Sequence, residues 1–286
     1  PRRLLSAPAL RAMTPPFTFT FDVEDHRPDD GTELRLLDAT RRVLAFCADR
    51  GVVGTVFVVG EVVRDHPELV REIAAQGHEL GLHGWRHTPI TELTPEVFRE
   101  ETARGRALLA EVAGQDVIGF RAPTFSLVPD TVWATDVLVD LGFTYSSSIL
   151  PAWSPLYGYP GLPRHPFTWP SGLLELPAPI IKAGPLGLPV VGGTYLRVLP
   201  WPVVRAGLRD KPLGSVPFTY CHPYDADPGE PYWVVPGTGR LLSPLLWYGR
   251  KRMLRRIERL LAGEAGPPLR QRLADVPAEV PAVLAA

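Results

Sequence analysis

The chain has 286 residues, 45% of them hydrophobic, enough for one large α/β core or two smaller ones. Its 30 basic and 31 acidic residues leave a net charge of −1, which excludes the strongly basic balance of a nucleic-acid or anionic-membrane binder. The 2 cysteines, Cys47 and Cys221, exclude a disulfide framework, and no apolar run reaches the roughly 18 residues of a transmembrane helix.

Residues 1–16 contain arginines but no continuous apolar stretch, so they read as an N-terminal extension rather than a secretory leader. Met13 is the expected start, and the cytoplasm the expected location. The alternation Phe17-Thr18-Phe19-Thr20-Phe21 predicts a strand that runs into Asp22-Val23-Glu24-Asp25. Leu34 to Arg50 has apolar residues at helical spacing and stops at Gly51. Thr55 to Val59 reads as a buried strand, Pro67 to Gln76 as a helix closed by Gly77, and His78 to Leu82 as a third strand.

Thr94 caps the next helix, with Pro95 at its first position and Glu96 after it; this helix runs to about Val112 and ends at Gly114. Ile118 to Arg121 is a strand, Asp130 to Leu141 a helix closed by Gly142, and Phe143 to Ser146 a strand. This strand–helix alternation predicts a parallel sheet or barrel. Beyond 150 prolines concentrate, with strand candidates at Leu173 to Leu176, Val190-Val191 and Val216 to Cys221. One long arginine-rich surface helix is expected over Leu241 to Ala262. The expected organisation is an extension over 1–16, one domain over 17–262 and a flexible tail over 263–286.

The polar clusters fall after strands, the side on which such folds build active sites. His83 and His87, in Gly81-Leu82-His83-Gly84-Trp85-Arg86-His87, stand in an i, i+4 relation and can converge if their segment is helical or tightly turned. Two imidazoles and one carboxylate leave a divalent ion with an open position, the mark of a catalytic site. In the acidic cluster Asp22 and Glu24 point to one side of the strand, and Asp25 follows at the turn. One carboxylate is thus available as ligand and another as proton acceptor. Arg121 is placed to orient a carboxylate. His222 ends the last predicted strand.

Taken together, Thr20-Phe21-Asp22, His83-Gly84-Trp85-Arg86-His87, Arg121-Ala122-Pro123 and Cys221-His222-Pro223 resemble, in that order, the polysaccharide deacetylase (NodB-homology, carbohydrate esterase family 4) superfamily. Gly77 to His83 is especially similar to its second motif. The Asp-Val-Glu-Asp form resembles the branch of peptidoglycan-type, allantoinase-like and exopolysaccharide-locus deacetylases. Phe120 to Ser126 and Gly192 to Arg197 look most like the exopolysaccharide-locus group.

The resemblance implies a deformed (β/α) barrel holding a divalent metal, usually zinc (Zn2+). It also implies a hydrolase removing N-acetyl groups from amino sugars of a polysaccharide or its precursor, an N-acetylated glycan. Asp22 would be the general base, His222 the general acid and Arg121 the residue orienting Asp22. His83, His87 and Glu24 would be metal ligands, with Asp25 the alternative to Glu24. Pro123, Tyr145 and Trp85 would lie at the substrate. Ser146 stands where the family often carries a carboxylate, so the charge partner of His222 is unplaced, Asp225 being a guess. Hydrolysis of a small cyclic amide and a non-catalytic, glycan-binding role remain the alternatives.

Overall fold

The structure, a computed structural model, describes residues 16–27, 35–154, 156–183, 186–209, 212, 214–235, 239–262, 265–276, 279–281 and 284. Met13 and all but the last residue of the expected extension lie outside them.

Four strand–helix units come first. β1 (Phe17–Val23) is followed by α1 (Leu36–Ala48), and β2 (Thr55–Val58) by α2 (Gly60–Asp65) and α3 (Pro67–Ala75). β3 (Glu79–Leu82) is followed by α4 (Pro95–Ala113), and β4 (Gly119–Phe120) by α5 (Ala134–Asp140). The α4 ends match their sequence signals. The Thr94 hydroxyl accepts from the Val97 amide at 3.3 Å, and Gly114 closes the helix at φ +64°.

β5 (Tyr145–Ser146), β6 (Phe167–Thr168) and β7 (Leu174–Glu175) continue the sheet, and β8 (Ile181–Ala183) pairs with β9 (Leu186–Leu188) as a separate hairpin. α6 (Gly193–Val198) and α7 (Trp201–Arg209) precede β10 (Phe218–Cys221). α8 (Gly239–Trp247), α9 (Met253–Leu261) and β11 (Ala265–Gly266) end the series.

The main sheet runs β10-β1-β2-β3-β4-β5-β7-β6, with β11 also on β1; every pairing is parallel except β6 with β7. Among the described residues no pairing joins β10 to β6, so the sheet is a curled, incompletely closed (β/α) barrel. Both faces of β1 are covered, and all seven of its residues are buried. Phe19, Phe21, Val56 and Leu80 pack outward with Val43 of α1 in one core. Phe57, Tyr145, Phe218, Tyr220 and Leu269 form a second core inside the curve.

Three expectations need correction. The late helix is broken into α8 and α9. Gly249 between them takes φ +78°, and a side chain there would sit 2.9 Å from the Arg197 carbonyl oxygen, so only glycine permits this approach. Val190-Val191 forms no strand; Gly192 makes a single bridge to Tyr220, and α6 starts directly after it. The segment read as a flexible tail is partly built into the fold. β11 pairs with β1, and a 3-10 helix over Leu269–Asp275 buries Leu269 completely. The amide of Leu269 donates to the Thr55 hydroxyl at 2.8 Å, and that of Arg270 to Glu79 at 3.0 Å. Burial pushes the Glu79 carboxyl up, the hydrogen bonds to Arg270, Thr55 and Tyr145 opposing it. The polar partners of this end of the curve come from opposite ends of the chain, which composition cannot reveal.

Candidate active site

Strand register assembles the site. Val23 pairs with Val58, Val58 with Leu82, Leu82 with Phe120, and Phe120 with Ser146. The residues one step beyond these partners are Glu24, Val59, His83, Arg121 and Ser147, which therefore leave the sheet at one level. On the other side of β1, Phe21 pairs with Cys221, which sets His222 level with Asp22. Thr20, Asp22 and Glu24 share the inner face because side chains alternate along β1.

Glu24, His83 and His87 offer ligand atoms that all lie within 4.8 Å of one another. The Oε2 of Glu24 lies 3.2 Å from His83 Nε2 and also contacts His87 Nε2. The two rings stand 5.1 Å apart at 62°. They converge through a turn rather than a helix. Gly84 and His87 adopt φ of +73° and +58°, the latter a left-handed backbone that non-glycine residues adopt at a cost of about 1–3 kcal/mol. Asp25, the alternative ligand, is exposed and accepts from the Arg27 amide at 3.0 Å.

The donor set fits a divalent ion of the zinc type. The His83 Nδ1 donates to the Arg121 carbonyl oxygen at 2.9 Å, so a His83 that held an ion would do so through Nε2. Burial alone would push the Glu24 carboxyl up. The charges of His87 and His222 and the hydrogen bonds from His83 and His87 outweigh it and hold the group well below the usual carboxylate range.

Asp22 is buried beside this cluster. Its Oδ1 accepts from Arg121 Nη1 at 2.6 Å, while Oδ2 faces His222 Nε2 at 3.9 Å. Arg121, 1% exposed, also donates to Thr20 at 2.9 Å and to the Ser147 hydroxyl at 3.0 Å. Its guanidinium lies 4.2 Å from the centre of the Phe57 ring. That ring fits because position 81 is glycine, where a Cβ would come within 2.6 Å of it.

On the opposite side, His222 Nδ1 lies 2.8 Å from Asp225 Oδ2, which also accepts from the His222 amide at 3.0 Å. The carboxylate missing at Ser146 is thus supplied by a 3-10 turn over Pro223–Ala226. Asp225 is fully buried, and its Oδ1 meets Arg197 Nε at 2.8 Å as an ion pair lacking hydrogen-bond alignment. Burial lowers the basicity of His222, but Glu24, Asp225 and Asp22 outweigh it and raise its pKa to about 9. Arg197 was visible in sequence only as the end of Gly192 to Arg197; its position against Asp225 was not.

These groups open into a cleft of about 210 Å³, walled by Thr124, Phe125, Leu156, Tyr157 and Tyr195 among others. Pro123, Tyr145 and Trp85, expected at the substrate, are not among its wall residues. Tyr145 is wholly buried and donates to Glu79 at 2.9 Å. Trp85 is 2% exposed and packs on Gly60, with the Arg104 guanidinium 4.0 Å from the centre of its ring. Pro123 is buried against Gly84 and shapes the turn behind the cleft.

Residues 16–146 match the family model "Polysaccharide deacetylase", and residues 147–265 match a domain of unknown function, DUF3473. The chain is 27% identical over 109 residues to the peptidoglycan-N-acetylglucosamine deacetylase of Bacillus cereus, covering 38% of each. It is 32% identical over 100 residues to a chitooligosaccharide deacetylase of Sinorhizobium fredii, covering 35% of this chain and 44% of that one. The matches thus span less than half the length of either relative. A Mycobacterium smegmatis structure provisionally named a polysaccharide deacetylase superposes with TM-score 0.65 at 22% identity, over 98% of this chain and 97% of that one. A CE4 family pseudoenzyme of Bacillus anthracis superposes with TM-score 0.51 at 12% identity, over 94% of this chain and 68% of that one. Both likenesses carry the fold alone. Residues 16–146 thus match the polysaccharide deacetylase family, and the superpositions show a like fold over nearly the whole chain.

Proposed function

We propose that the chain is a metal-dependent hydrolase that removes N-acetyl groups from amino sugars of a polysaccharide or its precursor. One observation carries the reading. The two-histidine, one-carboxylate set has a buried carboxylate on one side and a carboxylate-backed histidine on the other, all facing one cleft. Fold and family resemblance alone would not specify a reaction.

Glu24, His83 and His87 would hold the ion, zinc being the proposed one. When bound, such an ion polarises an acyl oxygen and makes water a better nucleophile. Asp22, held by Arg121, takes the proton of the attacking water. His222 gives a proton to the departing nitrogen as its bond to the acyl carbon breaks; without that proton the leaving group would be an amide anion. Acetate and the free amino sugar are the products. Asp225 holds the His222 ring through Nδ1, so that Nε2 faces the cleft. The aromatic wall residues Phe125, Tyr157 and Tyr195 suit the apolar face of a sugar ring.

Acetate release from N-acetylated oligosaccharides, with and without a chelator and with allantoin-like amides as controls, tests the proposal. Ring opening of the amide with no acetate from the glycan would replace the glycan reading. Metal binding without hydrolysis of either substrate would favour a non-catalytic role.

A further inference from the structure

Tyr224 touches both halves of the machinery. Its hydroxyl donates to Glu24 Oε1 at 3.1 Å, the oxygen turned away from the two ligand histidines. Its ring stacks on the His222 ring at 4.8 Å and 8°. The other face of the ring is covered by His26 at 4.1 Å and 20°. His26 is itself held, its Nε2 lying 2.8 Å from Glu230 Oε1, while Glu230 also pairs with Arg250. The Trp233 ring, its centre 5.3 Å from that of His26 and inclined at 61°, closes that side. The ring therefore has little freedom to rotate away from either contact.

We infer that Tyr224 is a positioning residue which commits Glu24 Oε2 to the metal and holds the His222 ring in plane. The inference rests on reading Glu24, His83 and His87 as a metal centre. A carboxylate has two equivalent oxygens, and an unrestrained one samples both. A hydroxyl on Oε1 removes that choice and orients the ligand, as hydrogen bonds behind metal ligands generally do. The flat stack supplies a separate restraint on the proton donor. Both restraints come from one turn, because Tyr224 and Asp225 are adjacent in Pro223–Ala226.

The two contacts separate by substitution. Tyr224→Phe keeps the stack and removes the hydroxyl, and Tyr224→Leu removes both. Cobalt binding, followed by titration and by the visible spectrum, is measured for wild type, both variants and His83→Ala. Tyr224→Phe should bind cobalt about 10- to 100-fold more weakly than wild type, with an unchanged circular dichroism spectrum. Its acetate release should recover at saturating metal, whereas that of Tyr224→Leu should not. Equal cobalt affinity in Tyr224→Phe and wild type would overturn the inference while leaving the metal centre intact. Wild-type protein that binds no cobalt, or binds it equally without His83, would overturn the metal centre and the inference with it.

Discussion

Arg121 Nη1 donates to Asp22 Oδ1 at 2.6 Å, although the two residues stand 99 positions apart and both are buried. A buried carboxylate with no partner is costly to take out of water. The guanidinium supplies the opposing charge, and three of its other four donors bond to Thr20 and Ser147. Two consequences are separable. Asp22→Asn should still bind metal but lose about 100- to 10,000-fold in rate of acetate release. Arg121→Met should lose activity and also stability, by about 3–5 kcal/mol, because Asp22 is left as an unpaired buried charge. Urea unfolding checks the second effect.

The two histidines proposed as ligands should behave differently from Asp22. His83→Ala and His87→Ala should lose stoichiometric metal in elemental analysis, and activity with it. A chelator should abolish wild-type activity, and added divalent ion should restore it. Full activity in either histidine variant would remove that residue from the ligand set.

The pH profile of acetate release should carry the signature of His222. Its pKa in the fold, about 9, is raised above its usual value, so the donor form dominates at neutral pH and is lost as pH rises. Activity should therefore fall on the alkaline side. A bound cation partly neutralises Glu24, one source of the upward shift, so the limb should lie below that value. Asp225→Asn removes another source and should move the limb to lower pH. The same linkage gives the metal-free protein stability from His222 that is complete below its unfolded pKa and lost as pH rises through the folded value.

Leu269 is fully buried inside the barrel curve, in a segment whose composition suggests a loose tail. Leu269→Ala should destabilise the protein by about 2–5 kcal/mol in urea unfolding. Truncation after Leu261 should do more, since it also removes β11 and the backbone donors to Thr55 and Glu79. A truncated chain with the wild-type midpoint would show that this segment contributes nothing.

What was legible was local or periodic. The Phe-Thr alternation of β1, the Thr94 cap and the Gly114 stop of α4 each act within a few residues, and the structure places them where the pattern does. The late helix was misread because its apolar spacing continues across Gly249, while the break depends on a carbonyl approaching from α6. Tyr145 and Trp85 are expected at the substrate from the family resemblance. Their burial depends on Glu79 and Gly60, distant in sequence.

By itself the sequence determined the strand–helix order and put Asp22, Glu24, His83, Arg121 and His222 at or just past strand ends. Side-chain alternation and the length of each unit follow from local backbone geometry, so one chain suffices to read them. Only the tertiary structure decided that Glu24 rather than Asp25 faces the histidines. It also decided that Asp225, backed by Arg197, replaces the carboxylate missing at Ser146. Those outcomes depend on strand register and on a turn folding back after β10. Register is set by the packing of whole strands against one another, and no local pattern encodes which distant carboxylate will lie within hydrogen-bond reach of a given ring.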